Sequence, residues 1–433
     1  MSKVCLQEWP KKKLADLCEI NIGGTPSRSV PAFWVEPPEG YPWLSIADIK
    51  EKYLSETREH ITDLGARSSN VKAIAPDTMI MSFKLSVGKA GIVKAPMYCN
   101  EAIAIFQPFH GQIDYRWLYF ALPRVAATAI TDTAVKGATF NKASLANLTL
   151  TVPDVSIQSK IAEILDTLDT AIRGTEAVVA KLKAMKQGLL HDLLTRGIDA
   201  NGDLRPPQSE VPHLYKQTPL GWLPKEWEVC AMQDLLASVD PAMRSGPFGS
   251  ALLKEELVSK GIPFLGIDNV FVERFDRNYK RFVTPRKFVQ LHRYAVRPDD
   301  LMITIMGTVG RCCLVPDDVG EALSSKHTWT ISLDQTKYSP YLAMLQVNYS
   351  DWVLRHFSKD QQGGTMSAIR SETIRSTQLP VPPRDEQESI EAILSELSVR
   401  LSEEETILKK YSLQKIGLMD DLLTGRTSVT PLL

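Results

Sequence analysis

Apolar residues fall at Ile161, Ile164, Leu168, Ile172, Val179, Leu182, Leu189 and Leu193, and again at Ile390, Ile393, Leu397, Leu401, Leu408, Tyr411, Leu418 and Leu422. Intervals of three, four and seven are the seam of a coiled coil. Each stretch therefore predicts a long helix, on the order of 60 Å at ~1.5 Å per residue. Val152–Leu194 and Val381–Leu423 superpose without a gap at a constant offset of 229, as from Gln158 to Gln387. The match continues into Asp192-Leu193-Leu194-Thr195 and Asp421-Leu422-Leu423-Thr424. The chain reads as one unit written twice. Pro153 and Pro382 end the strands before the helices, with Asp154 and Asp385 as expected N-caps. Each seam needs a partner, and the nearest is the other copy, so the helices are expected to pair antiparallel within one chain.

Elsewhere the period shortens to that of strands. Trp43–Ile46, Thr78–Phe83, Val87–Val93 and Ala102–Phe106 are short strand candidates, and Tyr115–Ala121 has helical spacing. The plan recurs later: Trp227, Asp234 and Leu235 match Trp9, Asp16 and Leu17. Pro263–Ile267 matches Pro42–Ile46, Pro298–Thr304 matches Pro76–Ser82, and Val309-Gly310-Arg311 matches Val87-Gly88-Lys89. The expected class is α+β: two mixed globular domains joined by two long antiparallel coiled-coil helices, with pseudo-two-fold internal symmetry. The expected divisions are 1–151 and 224–380 for the globular domains, 152–197 and 381–427 for the helices, 198–223 for a Pro/Gly-rich linker and 428–433 for a tail.

Composition narrows the function. Net charge is −1, so a nucleic-acid surface must be local. The six cysteines form no CxxC pair, which argues against structural zinc. No signal peptide opens the chain and no apolar run approaches ~20 residues, so a cytoplasmic protein with no membrane partner is expected. There is no GxxxxGK[ST], HExxH or GxSxG, and no Asn/Asp-Pro-Pro-Tyr. A catalytic role for this chain is therefore not expected, and no metal or cofactor site is assigned.

Local basicity is the positive signal. Between Arg274 and Arg297 there are eight Lys or Arg against one acid, Asp276, with five aromatics interleaved. Such a segment suits phosphate contact. Polar loops beside glycine supply the groups that read base edges. The DNA-binding candidates of the first domain are Thr25, Ser27, Arg28, Lys84, Ser86, Lys89, Lys136, Thr139, Asn141 and Lys142. Those of the second are Ser245, Phe248, Ser250, Arg277, Lys280, Arg281, Lys287, Thr308, Arg311, Ser325, Lys326, His327, Gln361, Gln362, Thr365 and Arg370.

These features resemble the specificity subunit of a type I restriction–modification system over essentially the whole chain. The likeness is carried by the helix starts Leu150–Ala162 and Leu379–Glu391, the helix ends Gly188–Gly197 and Gly417–Arg426, and the loops Gly23–Ser27 and Gly246–Ser250. One departure is Arg384 where the first copy has Val155. The resemblance implies that each domain reads one half of an asymmetric bipartite target in double-stranded DNA. It implies that the helices set the spacing and dock two modification subunits, with restriction (motor–nuclease) subunits joining for cleavage. S-adenosylmethionine, ATP and Mg would serve those partners, and this chain would hold none. The competing reading is a coiled-coil adaptor that touches no DNA.

Overall fold

The computed structural model describes residues 9–84, 86–132, 140–359 and 368–433. The chain forms two compact units, Met1–Ala177 with Thr406–Leu433, and Val178–Glu405. The helices Val155–Thr195 and Arg384–Leu423 each contribute one part to each unit.

In the first unit a five-stranded sheet runs Cys18–Ile22, Ile103–Pro108, Thr78–Ser82, Ala90–Val93, Tyr53–Leu54. A four-stranded sheet runs Trp34–Val35, Glu59–Ile61, Tyr41–Leu44, Tyr98–Cys99. The strand Thr78–Ser82 is buried at every position, as a hydrophobic run covered on both faces requires. Helix Tyr115–Asp132 packs on it through Trp117, Leu118, Phe120 and Leu122. The second unit repeats this scaffold with Met243–Ser245, Thr328–Ile331, Leu301–Thr304, Cys312–Leu314, and with Phe282–Val283, Ile262–Leu265, Leu323–Ser324. One parallel pairing occurs at the same place in both: Trp43 with Tyr98, and Phe264 with Leu323. Asp77 and Asp299 share the left-handed backbone, at φ 59° and 60°, in the turns that launch equivalent strands.

Each globular part is tied to its helix start by a buried glutamine. Gln158 accepts the Asp114 N–H at 2.8 Å and donates to Pro153 O at 2.8 Å. Gln387 accepts the Ser339 N–H at 2.8 Å and donates to Pro382 O at 2.8 Å. One shared scaffold position adds an ion pair, in both units to the helix Val155–Thr195. Lys52 in the first unit pairs with Asp166, and Glu273 in the second pairs with Lys186 at 2.6 Å.

Within each unit the helical segments run antiparallel. In the first, Lys415 pairs with Asp169 at 2.5 Å, while Ile161 and Leu165 share a core with Leu422. In the second, Lys183 pairs with Glu405 at 2.7 Å, while Leu190, Leu193 and Leu194 share a core with Ile390 and Leu394. The seam differs from the expected one in one turn of each copy. Leu165 and Leu394 are fully buried, whereas Ile164 is half-buried and Ile393 is 36 % exposed. The remaining expected seam residues are buried (Ile161, Val179, Leu182, Leu193, Ile390, Leu422) or half-buried (Leu168, Ile172, Leu189, Leu397, Leu401, Leu408, Tyr411, Leu418). Asp385 is not an N-cap, because the helix starts at Arg384 and Asp385 lies in its first turn.

The expected linker contains an ordered hairpin, Tyr215–Thr218 with Gly221–Pro224. It is anchored at Glu386, whose carboxylate takes Arg205 (Nη2–Oε2 3.0 Å), Trp227 Nε1 at 3.0 Å and the Ile198 N–H at 2.9 Å.

Candidate nucleic-acid interface

In the first unit two glycines let the recognition loop lie against a strand end. Gly23 donates to Ile103 O at 3.1 Å and Gly24 to Cys99 O at 2.8 Å. A Cβ on Gly23 would collide with the Cys99 and Asn100 carbonyls, so only glycine permits this approach. The loop brings Thr25 onto the Glu101 carboxylate. The Thr25 hydrogen bond holds that carboxyl below its ordinary range, and the Lys84 and Arg28 charges add to the effect. Thr25 is thus bonded to an acid, Glu101, that the sequence did not single out.

Arg28 donates both terminal nitrogens to Glu59, Nη2 at 3.0 Å, and its guanidinium lies 3.7 Å from the Trp34 ring centre and 5.0 Å from that of Trp43. The two indoles meet edge to face at 5.1 Å, forming a rigid platform. Ser27 is exposed and shares a hydrogen bond with Ser29 at 2.8 Å.

The second loop of this unit is held by one hydroxyl. Ser82 donates to Ser86 O and accepts the Lys89 N–H at 3.1 Å, while Gly88 turns the chain at φ 90°. Lys84, Ser86 and Lys89 are exposed on the turn. Phe140 donates to Phe83 O at 3.1 Å, which brings Asn141 and Lys142 alongside. Asn141 caps helix Lys142–Ala146, accepting the Ser144 N–H at 2.8 Å, so its carbonyl is already engaged. Lys136 and Thr139 lie outside the described residues.

The second unit keeps these loop frames and changes their side chains. Gly246 donates to Ser325 O at 3.1 Å, in an approach that a Cβ would obstruct. Thr304 donates to Thr308 O and accepts the Arg311 N–H at 3.1 Å, with Gly310 at φ 88°. Ile305 donates to His327 O at 3.1 Å. Phe248, Ser250 and Lys326 are exposed, and His327 is half-buried. Burial lowers the His327 pKa, with the Lys326 and Arg281 charges adding to the effect. The Lys326 and Arg281 charges therefore act on a ring that is held neutral.

Two of the expected contact residues are turned into the fold. Ser245 and Ser325 are buried, with Ser245 Oγ donating to Lys326 O at 3.3 Å and Ser325 Oγ accepting the His327 N–H at 3.4 Å. The Thr308 hydroxyl is buried without a partner among the described residues. Arg370 sits at the start of helix Ser371–Arg375. Gln361, Gln362 and Thr365 lie outside the described residues.

The basic run is less free than its composition suggests, because acids distant in sequence meet its cations. Arg277 pairs with Asp318 at 2.6 Å, Lys287 with Glu256 at 2.7 Å, and Arg281 with Asp268. Asp268 also lies 3.9 Å from Lys280. Arg311 and Arg274 share the Phe271 ring at 5.7 and 4.3 Å.

Burial pushes the Cys18 and Cys313 thiols up to about 12, so neither is a ready nucleophile at neutral pH. Among the described residues no group of three or more His, Cys, Asp or Glu could hold a metal ion, and no helix is long and apolar enough to cross a membrane.

Comparison with known proteins agrees with the duplicated frame. The sequence model described as the type I restriction modification DNA specificity domain matches twice, over residues 7–184 and 224–410. A putative type I restriction enzyme MjaX specificity subunit of Methanocaldococcus jannaschii is 21 % identical over 440 residues, covering 98 % of this chain and 94 % of that protein. The type I restriction enzyme EcoBI specificity subunit of Escherichia coli is 24 % identical over 247 residues, covering 54 % and 50 %. The crystal structure of the type I restriction–modification S subunit from M. genitalium shares the fold at a TM-score of 0.60, with 14 % identity and 98 % coverage of both chains.

Proposed function

We propose that this chain, which belongs to the family of type I restriction–modification DNA specificity domains, is the sequence-reading subunit of such a complex. One observation carries the reading. Two loops of equal backbone design, latched by Ser82 in one unit and Thr304 in the other, present different side chains. Lys84, Ser86 and Lys89 stand where the second unit has Met306, Thr308 and Arg311. A shared frame with changed side chains suits two unlike half-sites in double-stranded DNA, hence an asymmetric target. The long helices set the spacing between the half-sites and offer docking faces to two modification subunits, and restriction subunits join that assembly. The chain supplies specificity rather than catalysis, and S-adenosylmethionine, ATP and Mg act in the partners. The complex works on cytoplasmic DNA.

The test is to express the chain with its modification subunit and map methylated adenines across the host genome. A single two-part motif with a fixed gap is expected. Methylation without a motif, or with a motif that does not depend on this chain, would refute the reading.

A further inference from the structure

Glu59 and Arg281 occupy one place in the repeated scaffold, with opposite charge. Pro42 pairs with His60 and Pro263 with Phe282, so Glu59 and Arg281 each precede an equivalent partner. In the first unit the acid consumes both terminal nitrogens of Arg28, which leaves that fork no free donor pair. In the second unit the position is itself the cation. Arg281 donates Nη2 to Asp268, and among the described residues its Nη1 has no hydrogen-bond partner. Its side chain is 32 % exposed.

Space for it is made by Gly266, where a Cβ would come within 2.8 Å of Arg281 Cζ. Gly266 has an ordinary φ of −134°, so the backbone does not call for glycine, and a Cβ there would displace the guanidinium from this place. Arg281 Nε is buried without a partner, a cost the fold does not recover. A side chain held in place at such a cost fits a ligand contact better than a stabilising surface pair.

We propose that Arg281 reads a guanine in the half-site met by the second unit, with Asp268 and Gly266 as positioning residues. The inference rests on the DNA-recognition reading above. Guanine offers O6 and N7 as adjacent acceptors in the major groove, and a guanidinium fork matches both. Asp268 fixes the plane of the fork before DNA arrives, so little side-chain freedom is lost on binding. The first unit, with Glu59 at this place, makes no equivalent contact.

The test is selection from a random-sequence duplex library by the chain assembled with its modification subunit. The wild type should enrich a two-part motif that contains guanine in one half. Arg281→Lys keeps the charge and loses the fork. It should weaken the preference at one guanine by about ten- to a hundredfold while leaving the other half-site unchanged. Gly266→Ala, which displaces the guanidinium, should relax the same base pair. Melting curves of both variants separate this effect from unfolding. Wild-type preference retained at every position by folded variants of both kinds would overturn the assignment, as would equal loss at all positions. A wild-type complex that enriches no motif would overturn the DNA reading itself, and the assignment with it.

Discussion

Gln387 accepts the Ser339 backbone N–H at 2.8 Å from the first turn of its helix, and Gln158 does the same for Asp114. Each also donates to two carbonyls, Lys337 and Pro382 for Gln387, Gln112 and Pro153 for Gln158. Both side chains are inaccessible to water, at 1 % and 0 % exposure. Replacing either glutamine with leucine would strand a buried N–H and a buried carbonyl. The expected loss is on the order of 2–4 kcal/mol, read from urea unfolding. A loss of a few tenths would show that the joint is not held this way.

The repeat of the two glutamines at one offset was legible in the sequence, but their place in this joint was not, because their partners Asp114 and Ser339 lie far away in the chain. The strand frame was legible as a repeat: Pro42–Ile46 and Pro263–Ile267 carry one apolar pattern twice. What failed depended on distance in sequence. The run Arg274–Arg297 shows one acid locally, yet the fold delivers Asp268, Glu256 and Asp318 to its cations. The seam slipped by one residue at Ile164-Leu165 and Ile393-Leu394, where two adjacent apolar residues make the heptad ambiguous. Burial then selects the leucine in both copies. The burial of Ser245 and Ser325 was not legible, because a serine beside glycine looks alike whether its hydroxyl faces water or a carbonyl.

Arg244 and Asp300 form an ion pair with side-chain exposures of 2 % and 1 %, and Ser332 Oγ and the Arg297 N–H also donate to the acid. Asp300→Ala leaves a guanidinium buried without its counter-ion and should cost about 3–5 kcal/mol. A paired replacement, Arg244→Met with Asp300→Leu, should recover much of that loss, as measured by thermal melts. Equal losses in the single and paired variants would contradict the argument.

The Thr304 hydroxyl serves as both donor and acceptor across its loop. Thr304→Val keeps the shape and removes both bonds, so stability should fall by about 1–3 kcal/mol. Thr304→Ser keeps the hydroxyl and should stay much closer to wild type. Hydrogen exchange at the Arg311 amide reports the latch directly, and it should speed up in the valine variant alone.

His327 has a pKa below its ordinary value, through burial first and then the Lys326 and Arg281 charges. At pH 7.5 the ring is neutral folded and unfolded, so it contributes no pH dependence there. As pH falls through the unfolded value, about 6.5, the unfolded chain takes up the proton first and the native state loses stability. The difference in Tm between His327→Gln and wild type should therefore shift in favour of the variant from pH 7.5 to pH 5.5. No change, or a shift toward the wild type, would contradict the sign.

The central claim is that the two units read separate halves of one target. Its most direct test is duplex selection with the modification complex carrying Lys84→Ala and Lys89→Ala, or instead Arg311→Ala and Lys326→Ala. Lys84, Lys89 and Arg311 stand on the matched loops, and Lys326 stands on the neighbouring turn, where Ile305 donates to His327 O. Each pair should relax base preferences in one half of the motif, a different half for each pair, with the gap and the opposite half unchanged. Relaxation of both halves by either pair, or of the same half by both, would contradict the account.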